Sequence, residues 1–393
     1  MAYRSGTPRT FPLFLSLFLL HSLATAREEK PGFHWNLGME YHHEDNVYRT
    51  LDPLAESDNI FILKPELAWL GLRGKHRFGL RYKGEYAWYS SVTDLNYDDH
   101  DVVALVRLEH NYRLATELTL GYLKTHDVPG QTDAISLPLF EVNKWWDGYG
   151  RVRISYGRDD SKGQLVGELA YHERRYTNNW QEYRDYDLTQ FTGIFYYRIA
   201  PKTRLLFEAD LLDYDYRNRD FFGLKQTNFM YRLLAGITWE ATAKTSGTFK
   251  IGYRDTDYDN PRMADLNGLA LSLDGTWKPN TYTRVTFGAS QDTQQSAQQL
   301  SNGYVRRYLR VGIDHGITAR TILSAETLYG NDTFEGPLER EDDRWYLRLG
   351  ITHSLRRWLD LSIEYRYEER DSNIALYDYD TNIFLVEAST RFY

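Results

Sequence analysis

A hydrophobic period of two, repeated along almost the whole chain, sets the narrowest limit on what this sequence can become. In residues 358–368, Leu359, Leu361, Ile363, Tyr365 and Tyr367 fall on one side of an extended chain, and Asp360, Ser362, Glu364, Arg366 and Glu368 on the other. Strand side chains alternate between faces, so this segment has one apolar face and one polar face. A lone strand of this kind would suit a soluble sandwich or solenoid. Here the pattern recurs from residue 33 to the end, with aromatic residues near strand ends and charges between them. It predicts an all-β chain: a single transmembrane antiparallel up-and-down β-barrel, lipid outside and water inside.

Composition supports one repetitive unit. A chain of 393 residues would ordinarily make two or three soluble domains, yet no shift in composition divides it. Charged residues make up 26% and hydrophobic residues 42%. That is too polar for a helical membrane protein, and it suits a barrel in which one strand residue in two meets lipid.

Residues 1–26 read as a secretory signal and 27–393 as the barrel. Arg4 and Arg9 form a basic start, residues 11–20 a short apolar run, and Ala24-Thr25-Ala26 a cleavage site. The apolar run is half the roughly 20 residues that a spanning helix needs. Cleavage takes Lys+Arg from 47 to 45 against 55 Asp+Glu, a net charge of −10. An acidic chain argues against nucleic acid as a partner. There is no cysteine, so disulfides play no part in the fold.

The alternation marks about eighteen strands, the first over 33–48 and the last over 379–393. Tight turns are expected at 74–75, 115–116, 160–163, 200–202, 279–280 and 318–320. Longer loops rich in Asp, Asn and Tyr are expected at 98–101, 255–262, 335–343 and 371–380. Bacterial barrels show this asymmetry, with short periplasmic turns and longer extracellular loops. The longest loop, 127–143, contains Ile135, Leu137, Leu139 and Phe140. Either it folds inward as a constriction or it packs on the rim.

Parity assigns residues to the lumen. The basic candidates are Arg81, Arg107, Arg151, Arg153, Arg232, Arg254, Arg310, Arg348 and Arg366. The acidic candidates include Glu364, Glu208 and Asp210, and the inward aromatic candidates are Tyr196, Tyr308 and Tyr346. Mixed charges hold water in a wide barrel. The tyrosines either stack on sugar rings or serve as ordinary lumen fillers. Outward Trp88, Trp239, Trp277, Trp345 and Trp358 fit an interfacial girdle. The sequence has neither Gly-x-Ser-x-Gly nor His-Glu-x-x-His, and His42 and His43 point to opposite faces of a strand. No enzyme, cofactor or metal site is expected, and the acidic loops read as solvated surface.

Residues 231–248 resemble the strand–turn–strand unit of the outer-membrane β-barrel porins associated with exopolysaccharide operons. So do Ile251-Gly252-Tyr253-Arg254-Asp255, residues 275–282, Arg340-Glu341-Asp342-Asp343 and Arg356-Arg357-Trp358-Leu359-Asp360. The likeness covers roughly 182–393 and weakens before that. It implies a Gram-negative outer-membrane conduit that exports a polysaccharide with a periplasmic export protein. The other reading is a general or sugar-selective diffusion porin taking up small solutes. The C-terminal series Phe384, Val386, Ala388, Thr390 and Phe392 fits barrel insertion, with Tyr393 one residue out of phase.

Overall fold

The computed structural model describes residues 31–130, 141–242, 244–296, 301, 303–336 and 339–392. The signal segment and Tyr393 lie outside them. Eighteen strands follow one another in chain order. They are β1 (Gly32–Glu44), β2 (Asp58–Arg73), β3 (His76–Tyr89), β4 (Tyr97–Glu109), β5 (Leu114–His126) and β6 (Lys144–Tyr156). Next come β7 (Gly163–Tyr176), β8 (Tyr186–Ala200), β9 (Thr203–Tyr216), β10 (Asn228–Thr242), β11 (Thr245–Tyr258) and β12 (Leu266–Trp277). The last are β13 (Thr283–Gln294), β14 (Gly303–Gly316), β15 (Thr321–Glu335), β16 (Glu341–Arg356), β17 (Leu359–Ser372) and β18 (Tyr379–Phe392). None of the described helices is long and apolar enough to cross a membrane.

Each strand pairs antiparallel with its sequence neighbour, and β1 pairs with β18, from Trp35 opposite Phe392 to Glu44 opposite Ile383. The sheet is therefore closed. Closure matters because an open edge would leave backbone N–H and C=O groups unpaired in hydrocarbon. Aromatic rings fasten the seam: Phe392 stacks on Trp35 at 3.9 Å and lies 5.8 Å from Trp358.

Exposure alternates as the sequence requires. Along β17, Leu361 and Ile363 are exposed to the outside while Asp360, Glu368 and Arg370 are buried toward the inside. Trp88, Trp277, Trp345 and Trp358 all present outward surface. An Ile363→Arg variant, placing a charge at a position 62% exposed, is expected to lose ~2–4 kcal/mol of folding stability in vesicles. Equilibrium unfolding in guanidinium would measure it, and an unchanged midpoint would contradict the outward assignment.

Both termini of the barrel sit on the side of the short turns, such as Gly74-Lys75 and Pro201-Lys202. Several expected boundaries move. Asp98, Asp99, His100 and Asp101 belong to strand β4, not to a loop, and Asp255–Tyr258 continue β11. The hydrogen-bonded ladder runs past the hydrocarbon into water, where the apolar signal that marks a strand disappears. The turn expected at 115–116 lies at 110–113, before β5. The first strand stops at Glu44, and Val47 and Tyr48 fold back as a buried cluster with Ile60, Ile62 and Leu95.

Candidate functional site: the lumen and its outer mouth

Inward-facing positions on neighbouring strands lie opposite one another, which puts charges in reach of charges. The fifteen candidates named from the sequence lie at strand positions that alternate with the exposed apolar ones. Arg81 meets Asp101 at 2.7 Å. Arg107 pairs with Glu109 at 2.8 Å and reaches Glu117 at 3.6 Å. Arg151 spans Glu117 and Glu168, and Arg153 also pairs with Glu168. Lys250 meets Glu208 at 2.6 Å.

On the next strands Arg232 bridges Asp210 and Asp292, at 2.9 and 2.8 Å, and Arg254 joins Asp292 at 2.6 Å. Arg310 lies 3.8 Å from Asp274, while Arg348 and Arg366 share Glu364 at 3.3 and 2.5 Å. The arginines are thus members of a network and not free arms. Pairing neutralises the wall locally and fixes side chains that would otherwise sweep the water path. The acidic partners Asp101, Glu117, Glu168, Asp274 and Asp292 are not among the candidates named from the sequence. The same parity covers most of them, whereas Asp101 falls in a stretch whose polar run reads as a loop.

The three tyrosines differ in what they offer. Tyr196 is half-buried with the Arg204 guanidinium 4.5 Å above its ring. Tyr308 is half-buried on β14. Tyr346 is only 5% exposed, which leaves little ring face for a solute. A second aromatic group carries no distinct signal in the sequence: Tyr186, Tyr214 and Tyr216 pack with Leu188 and Met230 on the inward faces of β8 to β10. Beside it Arg174 lies 4.1 Å from the Trp145 ring and 5.3 Å from Tyr186.

The outer mouth is shaped by loops that turn inward. The loop after β5 begins at Asp127, which accepts bonds from Trp145 Nε1 at 3.0 Å and Arg184 Nη1 at 2.6 Å. Three residues later the Gly130 carbonyl accepts bonds from Arg344 Nη1 at 3.2 Å, Arg370 Nη1 at 3.3 Å and Tyr379 OH at 3.2 Å. Those donors stand on β16, β17 and β18, so the segment spans from one wall to another. Ile135, Leu137, Leu139 and Phe140 lie outside the described residues.

Only glycine fits at 130. Its φ is +69°, and an added Cβ would sit 2.6 Å from Arg49 Cδ and 2.9 Å from the Tyr379 ring. Arg49, from the first loop, bonds Glu368 at 3.0 Å and Glu44 at 3.4 Å. Burial opposes its charge, yet the two carboxylates hold its pKa above the usual arginine value. Beside the bridge, Asp332 is fully buried between Arg306 at 2.7 Å and Arg344 at 2.9 Å. Arg340 pairs with Asp342 and lies 3.4 Å from the Tyr377 ring.

His42 bonds Glu40 on the inside and His43 bonds Asn59 on the outside. Among the described residues no three of His, Asp and Glu gather as metal ligands.

Comparison places this geometry among known barrels. A family model described as "Putative beta-barrel porin 2" matches residues 35–392. Among solved structures, OccK2 (OpdF) of Pseudomonas aeruginosa superposes with a TM-score of 0.54 at 11% identity, over 92% of this chain and 98% of that one. OccK2 in complex with glucuronate gives 0.52 at 12% identity, over 92% and 98%. OpdK of the same organism, with vanillate, gives 0.53 at 10% identity, over 92% and 99%. At such identities these likenesses establish the fold alone. No curated protein matches the sequence.

Proposed function

Because the chain belongs to the "Putative beta-barrel porin 2" family and is a porin of the Gram-negative outer membrane, we propose that it is a selective diffusion channel through which small polar solutes, such as sugars and sugar acids, enter the periplasm. The observation that carries this reading is the bridge from Gly130 to Arg344, Arg370 and Tyr379. A barrel narrowed at its outer mouth by a bonded segment suits small solutes better than a polymer. The network of paired charges further in offers donors and acceptors for hydroxyl and carboxylate groups without demanding one sign of charge. Two similar barrels were solved with small carboxylated molecules, glucuronate and vanillate. Export of an exopolysaccharide, and a periplasmic export partner, rest on the sequence resemblance alone.

The test is swelling of proteoliposomes in isosmotic solutions of graded size. Rapid swelling with monosaccharides and hexuronates, falling sharply for oligosaccharides, is the expected result. No swelling with any small sugar would overturn the proposal. Loss of surface polymer on gene deletion, with normal intracellular synthesis, would restore the export reading.

A further inference from the structure

Charge in this barrel is sorted by end. The residues between strands on the short-turn side hold nine Lys and Arg against two Asp, Asp159 and Asp160. The loops at the other end hold fourteen Asp and Glu against seven Lys and Arg. All eight short turns contribute at least one exposed cation. Six of them provide Lys75, Arg113, Lys202, Lys278, Arg320 and Arg357, and the remaining two provide Lys162 and Lys244. The cations therefore form a collar around the whole circumference, not a patch on one side.

The collar sits among exposed aromatic residues of the same turns and strand ends. Tyr112 and Tyr282 are 66% and 58% exposed, and Trp277 and Trp358 are 47% and 46% exposed. At the turn between β6 and β7 two cations lie over such rings: Arg158 is 4.7 Å from the Tyr112 centroid and Lys162 is 4.7 Å from that of Tyr197. Outward tyrosine and tryptophan settle at the headgroup level of a bilayer. A cation beside such a ring stands within reach of lipid phosphates.

We infer that the short-turn collar binds the anionic phospholipid headgroups of the periplasmic leaflet, holding the barrel at a fixed depth. A continuous ring matches a partner that surrounds the barrel. A soluble acidic protein would call for a one-sided patch. Each near-surface cation contributes on the order of 1 kcal/mol of attraction to anionic lipid, roughly a five-fold preference per contact. Salt screens such contacts over a Debye length of about 8 Å at physiological strength.

The test uses the full barrel in vesicles of phosphatidylcholine and phosphatidylglycerol, with bromine on the acyl chains of one lipid at a time. Quenching of tryptophan reports which lipid is adjacent. The parent protein is expected to associate several-fold more strongly with phosphatidylglycerol in low salt and to lose that preference near molar salt. A variant carrying Lys75→Glu, Lys202→Glu, Lys278→Glu and Arg320→Glu should show none at either salt. These residues lie in exposed turns, and heat-modifiable gel migration checks that the variant folds. Equal quenching by both lipids in the parent, or an unchanged preference in the folded variant, would overturn the inference. So would a parent indifferent to lipid charge that binds soluble polyglutamate, which would assign the collar to a periplasmic polyanion.

Discussion

A double variant, Arg344→Ala with Arg370→Ala, is expected to pass more current per open channel than the parent in planar bilayers. Two donors to the Gly130 carbonyl are then gone. Hydrogen bonds from charged groups contribute ~1.5–3 kcal/mol each, so the seated segment loses a factor on the order of a hundred or more in its equilibrium. The Tyr379 hydroxyl remains as a donor to that carbonyl. Gly130→Val attacks the same seat from the other side, since a side chain there meets Arg49 and needs a backbone that β-branched residues avoid. It leaves the Arg344–Asp332 pair in place. If both variants fold and both keep the parental conductance, the bridge does not narrow the ion path.

The second large effect is on stability. Asp332→Ala removes a fully buried carboxylate that holds Arg306 and Arg344 at 2.7 and 2.9 Å. Breaking a buried pair by deleting one partner costs ~3–5 kcal/mol, because the remaining charges stay buried without it. Urea unfolding in vesicles should show the loss as a clear fall in midpoint. A variant within error of the parent would mean that water or another carboxylate takes over, and that the outer lumen is wetter than its burial suggests.

How far these features could be read from residues alone differs between them. The division into inward and outward faces was legible, because lipid and water demand opposite side chains at every second position. Hence Arg232, Glu208 and Arg366 could be assigned to the lumen before any strand was paired. The ends of strands were not legible. At Asp98–Asp101 the outside solvent changes from lipid to water, and the alternation that marks a strand vanishes although the ladder continues.

Parity gives a face but neither a partner nor a neighbour's bulk. It placed Tyr346 inward without showing that the ring would be covered. It could not join Gly130 to Tyr379, because that contact depends on barrel closure and on the path of a loop. Trp145 and Tyr186 are illegible for a related reason: an aromatic residue near a strand end suits the membrane girdle equally well, whereas these face inward.

The most direct test of the account is a cysteine scan of residues 360–366 in lipid vesicles, made simple by a chain with no cysteine of its own. Each single cysteine would be offered a water-soluble maleimide in the channel and, separately, probed for quenching of a fluorophore by brominated lipid. The prediction is strict alternation: 360, 362, 364 and 366 react from water, and 361, 363 and 365 are quenched from lipid. Uniform reactivity, or a repeat near 3.6 residues, would contradict a barrel wall with hydrocarbon on one side and water on the other.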